Sequence, residues 1–227
     1  MVSLLIMWII ANWKSNKTIA EALDWLAQAG PKIPKNPNLT VVVCPCFSAL
    51  SEVKKAIIVG NFPLLVGAQD LSPFGMGAYT GEEPAQILRE LITHAILGHS
   101  ERRQNFGETD EIISQKAAQA KANNITPLIC VQGTDILIPQ DCELVAFEPI
   151  SAIGTGNPDT PENANEVAKT LKEKNGQDIQ VLYGGSVTAD NVQSFLTQSF
   201  LSGVMIGKAS LDVQEFIKIC KKALENI

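Results

Sequence analysis

Eight short apolar runs recur along this chain, and what lies between them leaves few folds open. The runs read as strands at Ile6–Trp13, Thr40–Cys44, Leu64–Ala68, Ala95–Gly98, Pro127–Val131, Leu144–Phe147, Gln180–Tyr183 and Gly203–Ile206. Amphipathic stretches with helical spacing separate most of them. Thr18 and Glu21 form a capping box ahead of Ile19, Leu23, Leu26 and Ala27. Pro84 sits as at a first helical turn before Ile87, Leu88 and Leu91, and Thr160-Pro161 opens a helix with Ala164, Val167, Ala168 and Leu171 inward. Val192, Phe195 and Leu196 follow Thr188, and Val213, Phe216, Ile217, Cys220 and Leu224 mark a last helix. Further helices fit Ser48–Val59 and Ile112–Asn123. Near-strict alternation of strand and helix implies parallel strands joined by right-handed crossovers.

One connection breaks the rhythm. Only twelve residues, Gln132–Glu143, join the fifth and sixth strands, and Pro139 lies among them. That is too few for an outer helix and two loops. The expectation is an α/β fold: a (β/α)8 barrel whose fifth outer helix is missing or reduced to a turn, with residues 1–227 as a single barrel domain. A doubly wound open sheet is the alternative before any motif is weighed.

Composition narrows the class. At 227 residues the chain suits a barrel of about 200–250 residues. With 45% hydrophobic and 19% charged residues it carries enough apolar material for a core, unlike a disordered or collagen-like chain. The net charge of −6 argues against a nucleic-acid surface built on phosphate neutralisation. The longest apolar run, Leu4–Ala11, is far short of the roughly 20 residues a membrane helix needs, so no membrane partner is expected. No basic segment precedes that run and no small-residue cleavage site follows, against a signal peptide. Cys44, Cys46, Cys130, Cys142 and Cys220 are odd in number and lack metal-ligand spacing, which reads as free thiols in a reducing cytoplasm.

In a barrel, chemistry collects at the carboxyl ends of strands. Those positions are Asn12-Trp13-Lys14, Gly67-Ala68-Gln69, His99-Ser100-Glu101, Cys130, Glu148-Pro149, Gly184-Gly185-Ser186 and Gly207-Lys208. The set holds a carboxylate base candidate, one imidazole, a lysine and two glycine turns, an inventory suited to acid–base chemistry on a small anion. Each signal alone is weak. His94, at the amino end of the fourth strand, reads as a surface or shell residue facing away from His99. Glu148 alone could be a solvated strand-end carboxylate, and Gly184-Gly185-Ser186 could be only a turn. It could equally be an anion-binding nest of backbone N–H groups. Two nucleotide motifs fail: Gly154-Thr155-Gly156 is followed by Asp159 where a dinucleotide fingerprint needs Gly, and Gly207-Lys208-Ala209 has Ser202 where a P-loop needs Gly.

Taken together, the segments resemble the triosephosphate isomerase family over nearly the whole chain. The matching stretches are Asn12-Trp13-Lys14, Gly67-Ala68-Gln69, Gly77-Ala78-Tyr79-Thr80-Gly81-Glu82, the run Ile96 to Arg103 containing His99-Ser100-Glu101-Arg102, Glu148-Pro149, Ala152-Ile153-Gly154-Thr155-Gly156, and Tyr183-Gly184-Gly185-Ser186-Val187. The resemblance implies interconversion of dihydroxyacetone phosphate and D-glyceraldehyde 3-phosphate, without metal or coenzyme, in cytoplasmic glycolysis and gluconeogenesis. It implies Glu148 as general base, and His99 as a neutral imidazole donor and proton shuttle. Lys14 would offset phosphate and enediolate charge, Asn12 would add a donor, and Glu101 would hold Lys14. Family members are a standard illustration of this pKa tuning. Backbone N–H groups near Gly154, Ser186, Gly207 and Lys208 would bind the phosphate. Pro149, Ile150, Ser151, Ala152, Ile153, Gly154, Thr155 and Gly156 would form a lid over the reaction.

Several positions depart from the family pattern. Ser151 stands where the lid usually carries an aromatic residue, and Asn157-Pro158-Asp159 replaces the usual far hinge. Lys208 replaces the second Gly of the phosphate turn, and Gly75 replaces a Thr of the loop that docks on a partner subunit. The length of the Asp70–Met76 loop still suits docking, so a homodimer is expected, with a tetramer as the alternative where the missing helix exposes barrel surface. Two rival functions remain at this point: a non-catalytic anion-binding barrel and a different phosphosugar enzyme on the same fold.

Overall fold

The computed structural model describes residues 6–152 and 156–226. Eight strands close into a parallel barrel in chain order: β1 (Met7–Asn12), β2 (Leu39–Cys44), β3 (Leu65–Ala68), β4 (His94–Leu97), β5 (Thr126–Val131), β6 (Leu144–Phe147), β7 (Gln180–Tyr183) and β8 (Leu201–Ile206). The helices are α1 (Ile19–Ala29), α2 (Leu50–Val59), α3 (Ala85–Leu88), α4 (Ser100–Phe106), α5 (Asp110–Ala122), α6 (Pro161–Asn175), α7 (Val192–Leu196) and α8 (Val213–Ala223). All eight sequence-derived strands are present, with ends moved by one or two residues. β1 stops at Asn12 because Lys14, two residues on, turns left-handed at φ +53°. β4 stops before Gly98, which takes φ +70°.

The expected (β/α)8 barrel is therefore observed, and its fifth outer position is bare. Residues 132–143 form only bends and turns. Ile138 and Cys142 reach back into the core from this connection, while Leu137 stays 56% exposed.

Capping fixes where helices begin. The Thr18 backbone N–H donates to Glu21 Oε2 at 2.7 Å while Glu21 N–H donates to Thr18 Oγ1, the reciprocal box read from sequence. Thr160, Thr109 and Asp212 cap α6, α5 and α8 through side-chain oxygens. Pro84 is the N-cap of α3 rather than a member of its first turn, and Ile87 faces solvent while Ala85 and Leu88 face inward. Helix α4 has no apolar periodicity and was not visible as a helix in the sequence. It starts at the cap made by His99, whose ring accepts the Glu101 N–H.

Two packed layers result. Ile10, Val42, Ile96, Leu128, Leu182 and Met205 fill the barrel interior with Cys44 and Cys130. The larger layer lies between strands and helices, where Trp25 meets Trp13 edge-on at 5.0 Å and Phe216 at a tilt at 5.3 Å. His94 belongs inside, not on the surface. It shares a strand face with Ile96, meets the Trp8 ring edge-on at 5.3 Å, and shares a 2.7 Å hydrogen bond with Thr93 Oγ1 through Nδ1. Trp8 in turn donates to Gln180, so polar side chains floor the amino end of the barrel.

The closing seam constrains one residue above others. β8 pairs with β1 through Trp8↔Gly203 to Ala11↔Ile206, and a Cβ on Gly203 would sit 2.1 Å from the Trp8 carbonyl oxygen. Gly203→Ala is expected to cost about 2–3 kcal/mol or to prevent folding, read as a lowered urea midpoint. A second expectation concerns acid. Burial holds His94 down to about 4, against 6.5 when unfolded. Between these pH values the unfolded chain binds a proton that the fold refuses. Stability from this group is therefore present above pH 6.5 and declines by up to about 3 kcal/mol as pH falls towards 4. Unfolding curves at pH 7 and pH 4.5 should show a smaller acid loss for His94→Phe than for the parent.

Candidate active site

The strand ends bring the expected side chains to one mouth. A cavity of about 830 Å³ opens at the carboxyl end of the barrel, lined by Asn12, Lys14, His99, Glu148, Gly184–Ser186 and Gly207–Lys208, among others.

Glu148 follows β6 directly and is only 1% exposed. A carboxylate so buried needs donors. Its Oε1 lies 2.9 Å from His99 Nε2, and Oε2 accepts the Ser100 backbone N–H at 3.1 Å and the Gln132 side-chain amide at 3.4 Å. The tautomer of His99 follows from its other nitrogen. Nδ1 accepts the Glu101 N–H at 3.2 Å, so the ring proton lies on Nε2, pointing at Glu148. Gly184 permits this packing: a Cβ there would be 2.9 Å from Glu148 Cγ. Cys130 also borders the base. Burial first, and the neighbouring Glu148 carboxylate second, push its thiol well up, which keeps it protonated and inert.

Lys14, just past the end of β1, lines the same cavity as Glu148. Its ammonium pairs with Glu101, its N–H donates to Asn12 Oδ1 at 3.1 Å, and its carbonyl accepts the Gln69 amide at 2.7 Å. The lysine arm also runs along the β8 turn, since a Cβ on Gly207 would stand 3.5 Å from Lys14 Cε. The cation thus sits beside the turn expected to hold an anion.

The glycine turns edge the same cavity. Ser186 donates its hydroxyl to the Ala152 carbonyl at 2.7 Å, tying the seventh loop to the sixth. Lys208 opens a short 3-10 turn, Lys208–Leu211, without a positive φ, so the loss of glycine there imposes no backbone strain. The first part of the expected lid is a 3-10 turn at Ile150–Ala152, with Ile150 exposed and Ala152 buried. Ile153, Gly154 and Thr155 lie outside the described residues, so the expected phosphate contact at Gly154 and the lid tip are not placed. Gly156 lines the cavity at φ +79°, and beyond it Asp159 N–H donates to the Tyr183 hydroxyl at 2.8 Å. Among the described residues, no three His, Cys, Asp or Glu side chains cluster so as to hold a metal ion.

Sequence reasoning gave no role to Gln69 or Gln132. Both immediately follow strand ends, the placement that located the others, but an amide carries no chemical signature until its partner is known.

The family model described as triosephosphate isomerase matches residues 7–136 and 139–223, and its break falls inside the connection that lacks a helix. Triosephosphate isomerase of Mesomycoplasma hyorhinis is 38% identical over 233 residues, covering 93% of this chain and 96% of that one. Those of Caldanaerobacter subterraneus and Endomicrobium trichonymphae are 37% and 35% identical, over 93% and 92% of this chain and 97% and 96% of theirs. With matches spanning nearly its whole length, the chain belongs to the triosephosphate isomerase family.

Proposed function

We propose that this chain, read as one barrel domain, interconverts dihydroxyacetone phosphate and D-glyceraldehyde 3-phosphate. The observation that carries this reading is the buried Glu148 carboxylate 2.9 Å from a His99 Nε2–H, with Lys14 at the same cavity. A simple anion binder has no need of a buried carbon-acid base beside an imidazole donor.

The proposed reaction moves protons only. Glu148 removes a proton from the carbon beside the carbonyl and returns it to the neighbouring carbon. Negative charge develops on the enediolate oxygens, where preorganised donors act most strongly. His99 supplies one through Nε2–H and relays protons between the two oxygens, and Asn12 adds a second donor. Lys14 offsets the charge of phosphate and enediolate, and Glu101 holds its ammonium. Main-chain N–H groups near Gly154, Ser186, Gly207 and Lys208 bind the phosphate, and residues 149–156 close over it to exclude water. Glu148 and His99 touch each other directly, so substrate has to part them, and Glu148 swings towards the substrate carbon as it enters. Neither metal nor coenzyme takes part in this scheme.

We place this activity in cytoplasmic glycolysis and gluconeogenesis, with a homodimer as the working form. No described helix is long and apolar enough to cross a membrane. The loop after β3 exposes Phe74, stacked on Tyr79 with centroids 4.3 Å apart, and leaves Met76 68% exposed. Such a surface suits burial against a second copy. A tetramer that also covers the bare fifth position is the larger alternative.

A coupled assay in both directions tests the reaction. Glu148→Gln should lower kcat by about 10²–10⁴-fold while the protein stays folded. Absent turnover with phosphate still binding would favour the anion-binding barrel, and turnover of other sugar phosphates alone would favour a different phosphosugar enzyme. For the assembly, sedimentation should give a dimer, and Phe74→Asp should shift it to monomer.

A further inference from the structure

Lys14 occupies a backbone conformation that is uncommon for a residue with a side chain. At φ +53° it lies in the left-handed region, where a Cβ crowds the carbonyl. Such residues persist where the surroundings over-determine them. Here the carbonyl is held from two sides. Gln69 Nε2 donates to it at 2.7 Å, and to the Cys44 carbonyl at 2.9 Å. The Cys46 thiol approaches the Lys14 carbonyl at 3.3 Å, nearer than its other neighbour, the Asn16 carbonyl at 3.7 Å.

Both donors stand on firm ground. Gln69 precedes Asp70, whose carboxylate is locked by Lys116 at 2.7 Å and Arg102 at 2.9 Å. Cys46 is the N-cap position of the 3-10 turn Phe47–Ala49, just past β2. The other four cysteines are buried, whereas Cys46 is half-buried beside the lysine turn.

We propose that Cys46 is a positioning residue for Lys14, acting with Gln69. Its S–H donates to the Lys14 carbonyl, holds the left-handed turn, and so keeps the ammonium between Glu101 and the β8 turn. The thiol forms no bond to substrate and undergoes no redox change in this role. The proposal rests on the reading of Lys14 as the cation that meets the substrate.

The test compares Cys46→Ala, which deletes the donor, with Cys46→Ser, which keeps one, by steady-state kinetics on glyceraldehyde 3-phosphate. Cys46→Ala should lower kcat/KM by about 3–10-fold, mostly through KM, the size of one lost hydrogen bond. Cys46→Ser should stay within about twofold of the parent. In a Lys14→Ala background Cys46→Ala should cost nothing further, because the two act as a unit. Equal losses for Ala and Ser, the same loss in both backgrounds, or no loss in Cys46→Ala beside a crippled Lys14→Ala would overturn the positioning role. Lys14→Ala retaining full kcat/KM would instead overturn the underlying reading of Lys14. Thermal melts of each variant separate a folding defect from a kinetic one, and a loss in Cys46→Ala that tracks the melting midpoint alone also counts against the role.

Discussion

Closure of the barrel between β1 and β8 is the constraint on which the mouth depends. Only when the eighth ladder is made do the carboxyl ends of all the strands face one ring, placing the end of β1, with Lys14, beside the end of β8, with Gly207. The seam tolerates no side chain at Gly203, because the Trp8 carbonyl occupies that space. Asn12, His99, Glu148 and the two glycine turns come from different strands and share a cavity only because the ring is closed.

Within the ring, hydrogen bonds decide what each charged group can do. Glu148 is dehydrated by burial but accepts from His99, Ser100 and Gln132, which together replace the water it has lost. Behind the site, buried Asp70, Glu108 and Lys116 join half-buried Arg102 in a network that ties the loop after β3 to α4 and α5. Burial pushes the Asp70 carboxyl up despite the neighbouring Lys116. Such networks give little net stability but specify one arrangement. Here the arrangement joins Gln69, which grips Lys14, to the helix that begins at His99.

Much of this was legible in the sequence because its signals are local. Short apolar runs placed the strands, and the capping residues Thr18 and Thr160 placed helix starts. The short Gln132–Glu143 segment left room for no helix, and none forms. The misses have equally local causes. Helix α4 has a single apolar residue, Phe106, and stands on a cap rather than on periodicity. His94 read as a surface or shell residue because a titratable side chain at a strand's amino end usually meets water; here Trp8 and Thr93 enclose it.

The sequence by itself determined the eightfold strand rhythm, the absent fifth helix and the residue types gathered at strand ends. Those properties depend on neighbours a few positions apart. Tertiary structure alone decided that the His99 proton lies on Nε2, that Gln69 and Cys46 converge on one carbonyl, and that Lys208 fits its turn without strain. Each of these depends on geometry in three dimensions. Spacing in the chain cannot encode where two loops from different strands will meet, or which way a carbonyl will point when they do.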